Sequence, residues 1–351
     1  FQAEDGIRDR SPSRGLGDVY KRQVILYILI QNFEPNKKLG YYLCILLLGL
    51  WLSGNSRMKV FNDSLTNMGV AILQPNIDPN AKWDYKNREK TITYMDSLHS
   101  LAINLNPDLI FFPETALPAY LRLDRHVRDQ IQSKVDLSGI PVLTGTVDRT
   151  KSTDGKKRYF NSSMFLTPNH KYILYNKLHL VPFAEYIPLS GQLPSLNMLN
   201  FGQGNFTHGS EYTVFEWKEI KFSNLICYES SIPEVVREFI QQGANMLTIQ
   251  TNDGWLGKSA GPYQHYDVAR IRAIENRVPV VRSANTGISG LILANGVSIK
   301  EQGLGEMAVF KVTVPLGASG SFYSRNGDVF AMICFVIFLL LGPISCIRRR
   351  S

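Results

Sequence analysis

Cysteine is scarce in this chain, which has four in 351 residues, at Cys44, Cys227, Cys334 and Cys346. Three of them lie inside or at the end of strongly apolar segments, so a disulfide framework is not expected. Only Cys227 lies in a part of the chain with ordinary polar patterning, in the segment LICYESS. The sequence therefore predicts a fold without disulfide bonds and leaves one isolated thiol, either a buried structural residue or a nucleophile.

The signatures of several enzyme classes are also missing. The chain has no G-x-S-x-G nucleophile turn, no Walker A loop and no G-x-G-x-x-G after a strand. Its six histidines form no H-E-x-x-H motif, and we expect no metal site. The net charge of +8 is not accompanied by a basic face or a nucleic-acid-binding module, so we expect no nucleic-acid partner.

Two apolar runs lie towards the ends of the chain. Residues 39–54 carry aromatic residues and follow a pair of lysines, while residues 329–347 have no charge over 19 positions and precede the basic tail 348–351. A helix rises about 1.5 Å per residue, so such a run comes close to the roughly 30 Å of a hydrocarbon core. We predict two transmembrane helices with both basic flanks in the cytoplasm. A buried core helix is the alternative for either run.

The first residues do not fit this pattern. Residues 1–23 are polar and unpatterned, and they adjoin an apolar run at 24–30 that we interpret as the remnant of an earlier membrane helix. The letters DVYKRQ resemble the translated end of a sequencing-library transposon. We therefore expect residues 1–23 to be a sequencing artefact on a truncated gene, with a disordered terminus as the alternative. Either interpretation implies further membrane helices upstream.

Residues 55–328, between the two apolar runs, have the pattern of an α/β domain. Nearly continuous apolar runs such as 68–75 and 245–251 alternate with amphipathic stretches at about 86–104 and 261–277. Continuous apolar strands are typical of sheets that are covered on both faces. Strands that alternate with helices predict an α/β fold. By the positive-inside rule, this domain would lie on the side of the membrane opposite the cytoplasm.

Three strand ends carry polar residues of different chemical type. FFPETALP, YNKLHLVPFAEYIP and LICYESSIPE each begin as an apolar strand and then place Glu114, Lys177 or Cys227 at its exit. Ligands of α/β sheets bind outside the carboxyl ends of strands. A carboxylate can take the proton of a thiol nucleophile, and an ammonium can stabilise the oxyanion of acyl transfer. We interpret the three residues as base, oxyanion partner and nucleophile, and their convergence is a prediction.

Together with TNDGWLG at 251–257, these blocks resemble the nitrilase, or carbon–nitrogen hydrolase, superfamily. With the two apolar runs, the chain is similar over 24–351 to the branch that N-acylates lipoproteins. The resemblance implies a nitrilase-like four-layer α-β-β-α sandwich flanked by transmembrane helices, in a multi-pass, monomeric enzyme of the bacterial inner membrane without a cofactor. It implies an acyl thioester formed on Cys227 from a phospholipid, typically phosphatidylethanolamine. The acyl chain then passes to the α-amino group of the diacylglyceryl-cysteine of an apolipoprotein.

The same resemblance implies a role for each matching residue. Glu114 would be the general base, Lys177 would stabilise the oxyanion, and Glu185 would be a second carboxylate that positions Lys177. Tyr228 and Glu229 would flank the nucleophile, with Glu229 shaping the pocket.

The substrate-binding residues implied or predicted lie in three segments. Trp83 and Trp255 match aromatic positions near the substrate entrance, and Asn252, in the same TNDGWLG segment as Trp255, is also predicted to bind substrate. The loop 190–206 places Leu196 and Phe201 among Gly, Asn, Ser and Pro, and an exposed apolar loop often marks a membrane or partner surface. We predict that this loop dips towards the bilayer and admits lipid tails to the thiol. A loop folded over its own small core is the alternative.

Two other functions stay open. A membrane-tethered amidase would use the same three residues but would hydrolyse a small amide with water as the second nucleophile. A non-catalytic member would bind lipoproteins without acylating them. Two flanking spans and a remnant of a third disfavour the amidase, because tethering needs only one. The intact set of Glu114, Lys177 and Cys227 disfavours the non-catalytic protein.

Overall fold

The structure is a computed structural model. It describes residues 37–59, 66–152, 155–188, 205–257, 259–317 and 320–348. The polar start 1–23, the apolar remnant 24–30, the loop residues Leu196 and Phe201, and the last residues of the basic tail lie outside the described residues, and the predictions made for them stay predictions.

Twelve strands are present among the described residues, and they form two six-stranded sheets. In chain order they are β1 (Thr66–Gln74), β2 (Leu109–Phe111), β3 (Val142–Lys151), β4 (Lys157–Thr167), β5 (Lys171–Asn176), β6 (Val214–Trp217), β7 (Ile220–Ile226), β8 (Met246–Thr251), β9 (Val280–Ala284), β10 (Ser289–Ile292), β11 (Ser298–Gln302) and β12 (Ala308–Leu316). The first sheet has the order β12-β1-β2-β3-β4-β5, and the second has the order β11-β10-β9-β8-β7-β6. Each sheet has a parallel centre, β1-β2-β3 or β7-β8-β9, and antiparallel strands outside it.

The helices of the described residues are α1 (Lys37–Lys59), α2 (Pro79–Lys82), α3 (Tyr85–Asn104), α4 (Arg125–Ser138), α5 (Pro233–Gln241), α6 (Gly261–Asn276), α7 (Phe322–Asn326) and α8 (Val329–Arg348). The helices predicted at 86–104 and 261–277 are confirmed, because α3 and α6 begin and end within one residue of those limits. Local chemistry explains some of these ends. The side chain of Asp84 accepts the N–H of Lys86 at the start of α3, and Gly139 ends α4 with a φ of 70°.

The two sheets pack face to face, and each carries helices on its outer side. Between the sheets, the ring of Phe165 on β4 meets that of Phe222 on β7 edge-on, with the centroids 5.2 Å apart. Helices α3 and α4 bury residues such as Leu98 against the first sheet, while α5 and α6 bury residues such as Val236 and Ala269 against the second. The architecture is therefore an α-β-β-α sandwich, as predicted.

The two apolar runs fall within α1 and α8. Large apolar side chains on both helices are exposed, and Leu50 and Phe330 are 62% and 78% exposed. Within the part of the chain that the structure describes, no helix has both the length and the apolar character needed to cross a membrane. The two transmembrane helices stay predictions.

Helix α3 buries a histidine whose ring nitrogens have no hydrogen-bond partner among the described residues. His99 is 1% exposed, and its ring lies edge-on to that of Phe112 with the centroids 5.4 Å apart. Burial, with a smaller effect of Lys134, lowers the pKa of His99 to about 4, although Asp96 opposes the shift. The imidazole is therefore neutral in the folded protein at neutral pH.

We predict that this histidine makes the domain sensitive to acid. The pKa of His99 is lower in the folded protein than the value of about 6.5 expected in the unfolded chain. The unfolded chain therefore binds the extra proton, so stability is complete above pH ~6.5 and falls as the pH drops towards ~4. When the pH is lowered from 7 to 5, the unfolding free energy of the wild type should fall by about 2 kcal/mol more than that of His99→Leu. Urea unfolding of both proteins at the two pH values measures this, and equal losses would contradict it.

Candidate active site

The three residues from the predicted strand exits lie in one cluster, in which Glu114 and Lys177 are buried, Cys227 is half-buried, and the charges of the first two act on the pKa of the thiol. Lys177 directly follows β5 and Cys227 directly follows β7, while Glu114 comes shortly after β2. The Nδ2 of Asn161, on β4, donates hydrogen bonds to both Glu114 Oε1, at 2.8 Å, and Glu185 Oε1, at 2.9 Å. The ammonium of Lys177 donates to Glu185 Oε2 at 2.7 Å. The structure thus brings together a thiol, an ammonium and two carboxylates from both sheets.

The turn that carries Cys227 has an unusual backbone conformation. Cys227 has a φ of 51° and begins a 3₁₀ turn, Cys227–Ser231, directly after β7. A positive φ is uncommon for residues other than glycine, and such strained positions occur often at active sites. The change of direction presents the thiol at the end of the strand rather than within the sheet.

The turn that carries Glu114 is held by close backbone packing against β3. The N–H of Gly145 donates to Pro113 O at 3.2 Å, and the carbonyl of Gly145 accepts the N–H of Ala116 at 3.1 Å. A Cβ at Gly145 would lie 2.4 Å from Thr115 N, so only glycine allows this approach. The position of Glu114 is therefore fixed by backbone contacts with the neighbouring strand.

The charges in the cluster shift one another's pKa values. Burial and the Glu114 carboxylate raise the pKa of the Cys227 thiol to about 12, although Lys177 opposes them. Burial raises the pKa of Glu114, an effect that Lys177 opposes. Burial would lower the pKa of Lys177, but the carboxylates, Glu185 first, outweigh it and raise the pKa above its ordinary value. The resting site therefore holds a neutral thiol beside a charged ammonium and a carboxyl group with raised proton affinity.

Glu229 connects the turn of Cys227 to the segment around Lys177. Its Oε1 accepts hydrogen bonds from the hydroxyl of Tyr175 at 2.8 Å, Leu178 N at 2.7 Å and His179 N at 3.2 Å. Its Oε2 accepts the N–H of Ile226 at 2.8 Å. Glu229 is fully buried. Its contacts are therefore with the backbone and the Tyr175 hydroxyl around the site. Through them, Glu229 sets the distance between the end of β5 and the end of β7.

We predict that Glu229→Gln will destabilise the protein. The four groups around the carboxylate all donate hydrogen bonds, so an amide nitrogen would face at least one donor. A buried donor without an acceptor costs about 1–3 kcal/mol. The unfolding free energy should fall by about that amount, whereas the same change at the exposed Glu234 on α5 should have little effect. Equal stability of the two variants in urea unfolding would contradict this account.

A cavity of about 570 Å³ lies next to the turn of Glu114, and Glu114, Lys177 and Cys227 are not themselves among the residues that line it. Among the residues that line it are Trp83, Tyr120, Trp255 and Thr115, which directly follows Glu114. Trp83 and Trp255 are half-exposed, so they lie at the mouth of the cavity. The side chain of Asn252 is buried and accepts a hydrogen bond from Asn285. Asn252 is not among the residues that line the cavity, and its substrate contact stays a prediction.

Tyr228 is 39% exposed beside the nucleophile. It lies within the 3₁₀ turn that begins at Cys227, so its ring is available to a molecule that approaches the site. Its role stays a prediction, as do the roles predicted for Leu196 and Phe201, which lie outside the described residues.

Two residues of the site were missed from the sequence. Asn161 bridges the two carboxylates, but in the sequence it is only a polar residue inside the run YFNSS. Lys82 is buried and donates to Thr115 O at 2.5 Å. Burial lowers the pKa of Lys82 to about 8, against the opposing effect of Glu114. No local pattern marks either residue, because their partners are distant in the chain.

A second network lies behind Cys227 and was also missed. The backbone carbonyl of Cys227 accepts a hydrogen bond from the Ser230 hydroxyl at 2.8 Å, and His265 Nε2 lies 3.1 Å from it. His265 Nδ1 lies 2.8 Å from Asp253 Oδ1, and Arg282 donates to Asp253 Oδ2 at 2.7 Å. Burial would raise the pKa of Asp253, but Arg282 and then His265 hold it well below its usual range. The network supports the strained turn from behind.

Cys227, Asp253 and His265 also offer possible metal-ligand atoms within 4.8 Å of one another. Arg282 already pairs with the Asp253 carboxylate, and both ring nitrogens of His265 have hydrogen-bond partners. The charges of this group are balanced by protein side chains, so we interpret it as a hydrogen-bonded support.

The fold and the cluster define a class of protein. The family model for carbon-nitrogen hydrolase matches residues 69–322, and the chain belongs to that family. Among curated proteins, the chain is similar to the apolipoprotein N-acyltransferase of Geobacter metallireducens, with 35% identity over 337 residues, covering 93% of this chain and 64% of the relative. It is also similar to that of Chlorobaculum tepidum, with 32% identity over 355 residues, covering 93% and 67%. The chain thus spans about two thirds of the length of these relatives.

Solved structures show the same fold. An amidase from Nesterenkonia sp. matches 71% of this chain and 90% of its own, with a TM-score of 0.53 and 17% identity. At that identity the likeness supports the fold alone.

Proposed function

We propose that the protein transfers an acyl chain from a phospholipid to the α-amino group of the N-terminal diacylglyceryl-cysteine of an apolipoprotein. The observation that carries the proposal is the convergence of Glu114, Lys177 and Cys227, with an aromatic cavity of about 570 Å³ next to the turn of Glu114. A thiol nucleophile with a base and a fixed cation is suited to acyl transfer through a covalent intermediate. The named activity of the relatives supports the same reaction.

The first half-reaction would load the thiol. Glu114 takes the proton of Cys227 as the sulfur attacks the ester carbonyl carbon of the phospholipid. The negative charge that develops on the carbonyl oxygen is stabilised by the Lys177 ammonium. The carbon–oxygen bond to the glycerol then breaks, and the leaving oxygen takes the proton back from Glu114. The products are a lysophospholipid and an acyl thioester on Cys227.

The second half-reaction would release the acyl chain to the lipoprotein. The free amine of the diacylglyceryl-cysteine attacks the thioester carbonyl carbon, and Glu114 accepts the proton that the amine loses. Lys177 again stabilises the oxyanion. The carbon–sulfur bond breaks, the thiolate regains a proton, and an amide is formed. Glu185, which is 2.7 Å from Lys177, keeps the ammonium charged and in place through both steps.

We further propose that the enzyme acts as a monomer in the inner membrane of a bacterium, with the catalytic domain on the periplasmic side. Exposed apolar side chains along α1 and α8 support contact with lipid. Both substrates carry long acyl chains, so a site at the bilayer surface would receive them without extraction into water. Trp83 and Trp255, half-exposed at the cavity mouth, suit such an interface.

A membrane-tethered amidase is the second candidate. It would use the same cluster, with water in place of the amine. The likeness to an amidase is a likeness of fold at 17% identity, and the exposed apolar side chains on α1 and α8 favour a lipid substrate instead.

Intact-mass spectrometry tests the proposal. Full-length protein in phosphatidylethanolamine–detergent micelles should gain the mass of one acyl chain, and a synthetic diacylated lipopeptide with a free amine should remove it. Cys227→Ser should leave the lipopeptide unmodified. Lipopeptide acylation by the serine variant at the wild-type rate would rule out the thioester, and release of the chain only as free fatty acid would favour the amidase.

A further inference from the structure

A groove lies next to the aromatic cavity. It has a volume of about 570 Å³, and Arg88, Arg125 and Arg149 are among the residues that line it. Trp83 and Tyr120 line both the groove and the cavity. The groove and the cavity are therefore neighbours that share aromatic walls. The groove is cationic, and the cavity is mostly apolar.

The positive charge of the groove is not balanced by its own carboxylates. Arg88 pairs with Asp124 at 2.6 Å and with Glu89. Arg125 and Arg149 form no salt bridge with a carboxylate among the described residues. The guanidinium of Arg149 lies over the ring of Tyr120, 5.6 Å from its centroid. That contact holds the guanidinium against the shared wall and leaves its N–H groups for another acceptor.

The chemistry of the donor calls for a cationic place beside the cavity. A phospholipid carries its reactive ester and its phosphate on the same glycerol, so the two groups are only a few bonds apart. An ester carbonyl that enters the site therefore brings the phosphate to the edge of the cavity. A phosphate buried against aromatic rings without donors would pay a large desolvation cost. Arginine is the side chain best suited to bind phosphate oxygens, because its planar fork can donate two parallel hydrogen bonds.

We infer that Arg125 and Arg149 bind the phosphodiester of the phospholipid donor in this groove, while its ester enters the neighbouring cavity. The inference rests on the proposed function. The acceptor lipopeptide carries a diacylglyceryl group without a phosphate, so the groove serves only the first half-reaction. It sets which lipids can donate, and it has no part in the attack of the amine.

The two half-reactions can be measured separately. Full-length Arg149→Gln, Arg125→Gln and the double variant are compared with the wild type in phosphatidylethanolamine–detergent micelles, where the zwitterionic lipid limits general attraction to the surface. Loading of Cys227 should slow by about tenfold for each single variant and more for the double variant, as expected for the loss of a charged hydrogen bond. Transfer from the preformed thioester to the lipopeptide should keep the wild-type rate.

Two controls separate phosphate recognition from damage to the site. Loading from a p-nitrophenyl acyl ester, which has no phosphate, should be the same in all variants and the wild type. Arg158→Gln removes one exposed arginine from β4 that is not among the groove residues, and it should load from phospholipid normally. Inorganic phosphate, which lacks an acyl chain to fill the cavity, should compete poorly with the lipid.

The outcomes are distinct. Wild-type rates of loading from phospholipid in the double variant would overturn this inference alone. Equal slowing with the phosphate-free ester would also overturn it, because the arginines would then act on the site as a whole. Strong competition by inorganic phosphate would assign the groove to free phosphate instead. A wild-type protein that loads from the p-nitrophenyl ester but never from phospholipid would overturn the proposed function and this inference with it.

Discussion

Glu114→Gln should slow the loading of Cys227 by about a thousandfold, within the range known for the loss of a general base. The pKa of the thiol is about 12 in the resting site, so hardly any thiolate is present at neutral pH. Attack therefore depends on transfer of the thiol proton as the bond forms. The amide of glutamine keeps the hydrogen-bond acceptor for Asn161 but cannot take that proton.

The pH dependence of the variant provides a further check. Without the base, the reactive species is the free thiolate, so the loading rate of Glu114→Gln should rise by about tenfold per pH unit through the alkaline range. Removing the negative charge of Glu114 also lowers the pKa of Cys227, because that charge raises it in the wild type. Intact-mass time courses between pH 7 and pH 10 measure both effects. Glu219→Gln, at an exposed position, is the matched control.

A rate for Glu114→Gln above about one tenth of the wild-type value would show that another group removes the proton, since the loss of a general base costs at least about a hundredfold. The buried Lys82 next to the same turn, with a pKa of about 8, would then be the first residue to test.

Lys177→Met should slow the loading of Cys227 strongly and also destabilise the fold. The ammonium is 1% exposed and pairs with Glu185 at 2.7 Å. Removing one partner of a buried ion pair leaves the other charge uncompensated, at a cost of about 3–5 kcal/mol. The loss of an oxyanion donor lowers the rate by about a hundred- to a thousandfold. The raised pKa of Lys177 means that its charge stabilises the fold fully below pH ~10.4, and the contribution disappears only as the pH rises through the higher folded value.

A double variant separates the two effects. In Lys177→Met with Glu185→Leu, both charges are absent, and the buried site no longer holds an unpaired carboxylate from that pair. The unfolding free energy should rise above that of Lys177→Met, because no unpaired charge from the pair is left. It should stay below the wild-type value, because Asn161 and the N–H of Val181 lose their acceptor. Loading of Cys227 stays slow because nothing replaces the ammonium. Urea unfolding and intact-mass kinetics on the same samples provide both readouts. Recovery of loading together with stability would show that Lys177 has only a structural role.

The sequence predicted the elements of the site better than their contacts. The apolar runs and the polar residues that follow them identified Glu114, Lys177 and Cys227 at strand exits, and the structure places them together. Glu229 was expected to shape the pocket, and the structure shows that its four hydrogen bonds are with the backbone and the Tyr175 hydroxyl. Asn252 was expected to bind substrate. It is buried with a hydrogen bond from Asn285, and its substrate contact stays a prediction. In both cases a motif located the residue, and the structure showed what its side chain contacts.

Local periodicity and strand-end chemistry therefore determined the α/β class, the limits of α3 and α6, and the three residues on which the proposed chemistry depends. The tertiary structure decided what they contact. Asn161 meets Glu114 and Glu185 because β4 lies between β3, against which the turn of Glu114 packs, and β5, which leads to the Lys177 partner of Glu185. His265 reaches Cys227 only because α6 packs on the second sheet. Periodicity predicts which face of an element is buried, because side-chain directions repeat about every 3.6 residues in a helix and every two in a strand. Pairings between distant segments depend on strand order and on the packing of the two sheets. The groove of Arg125 and Arg149 likewise brings together residues that are distant in the chain.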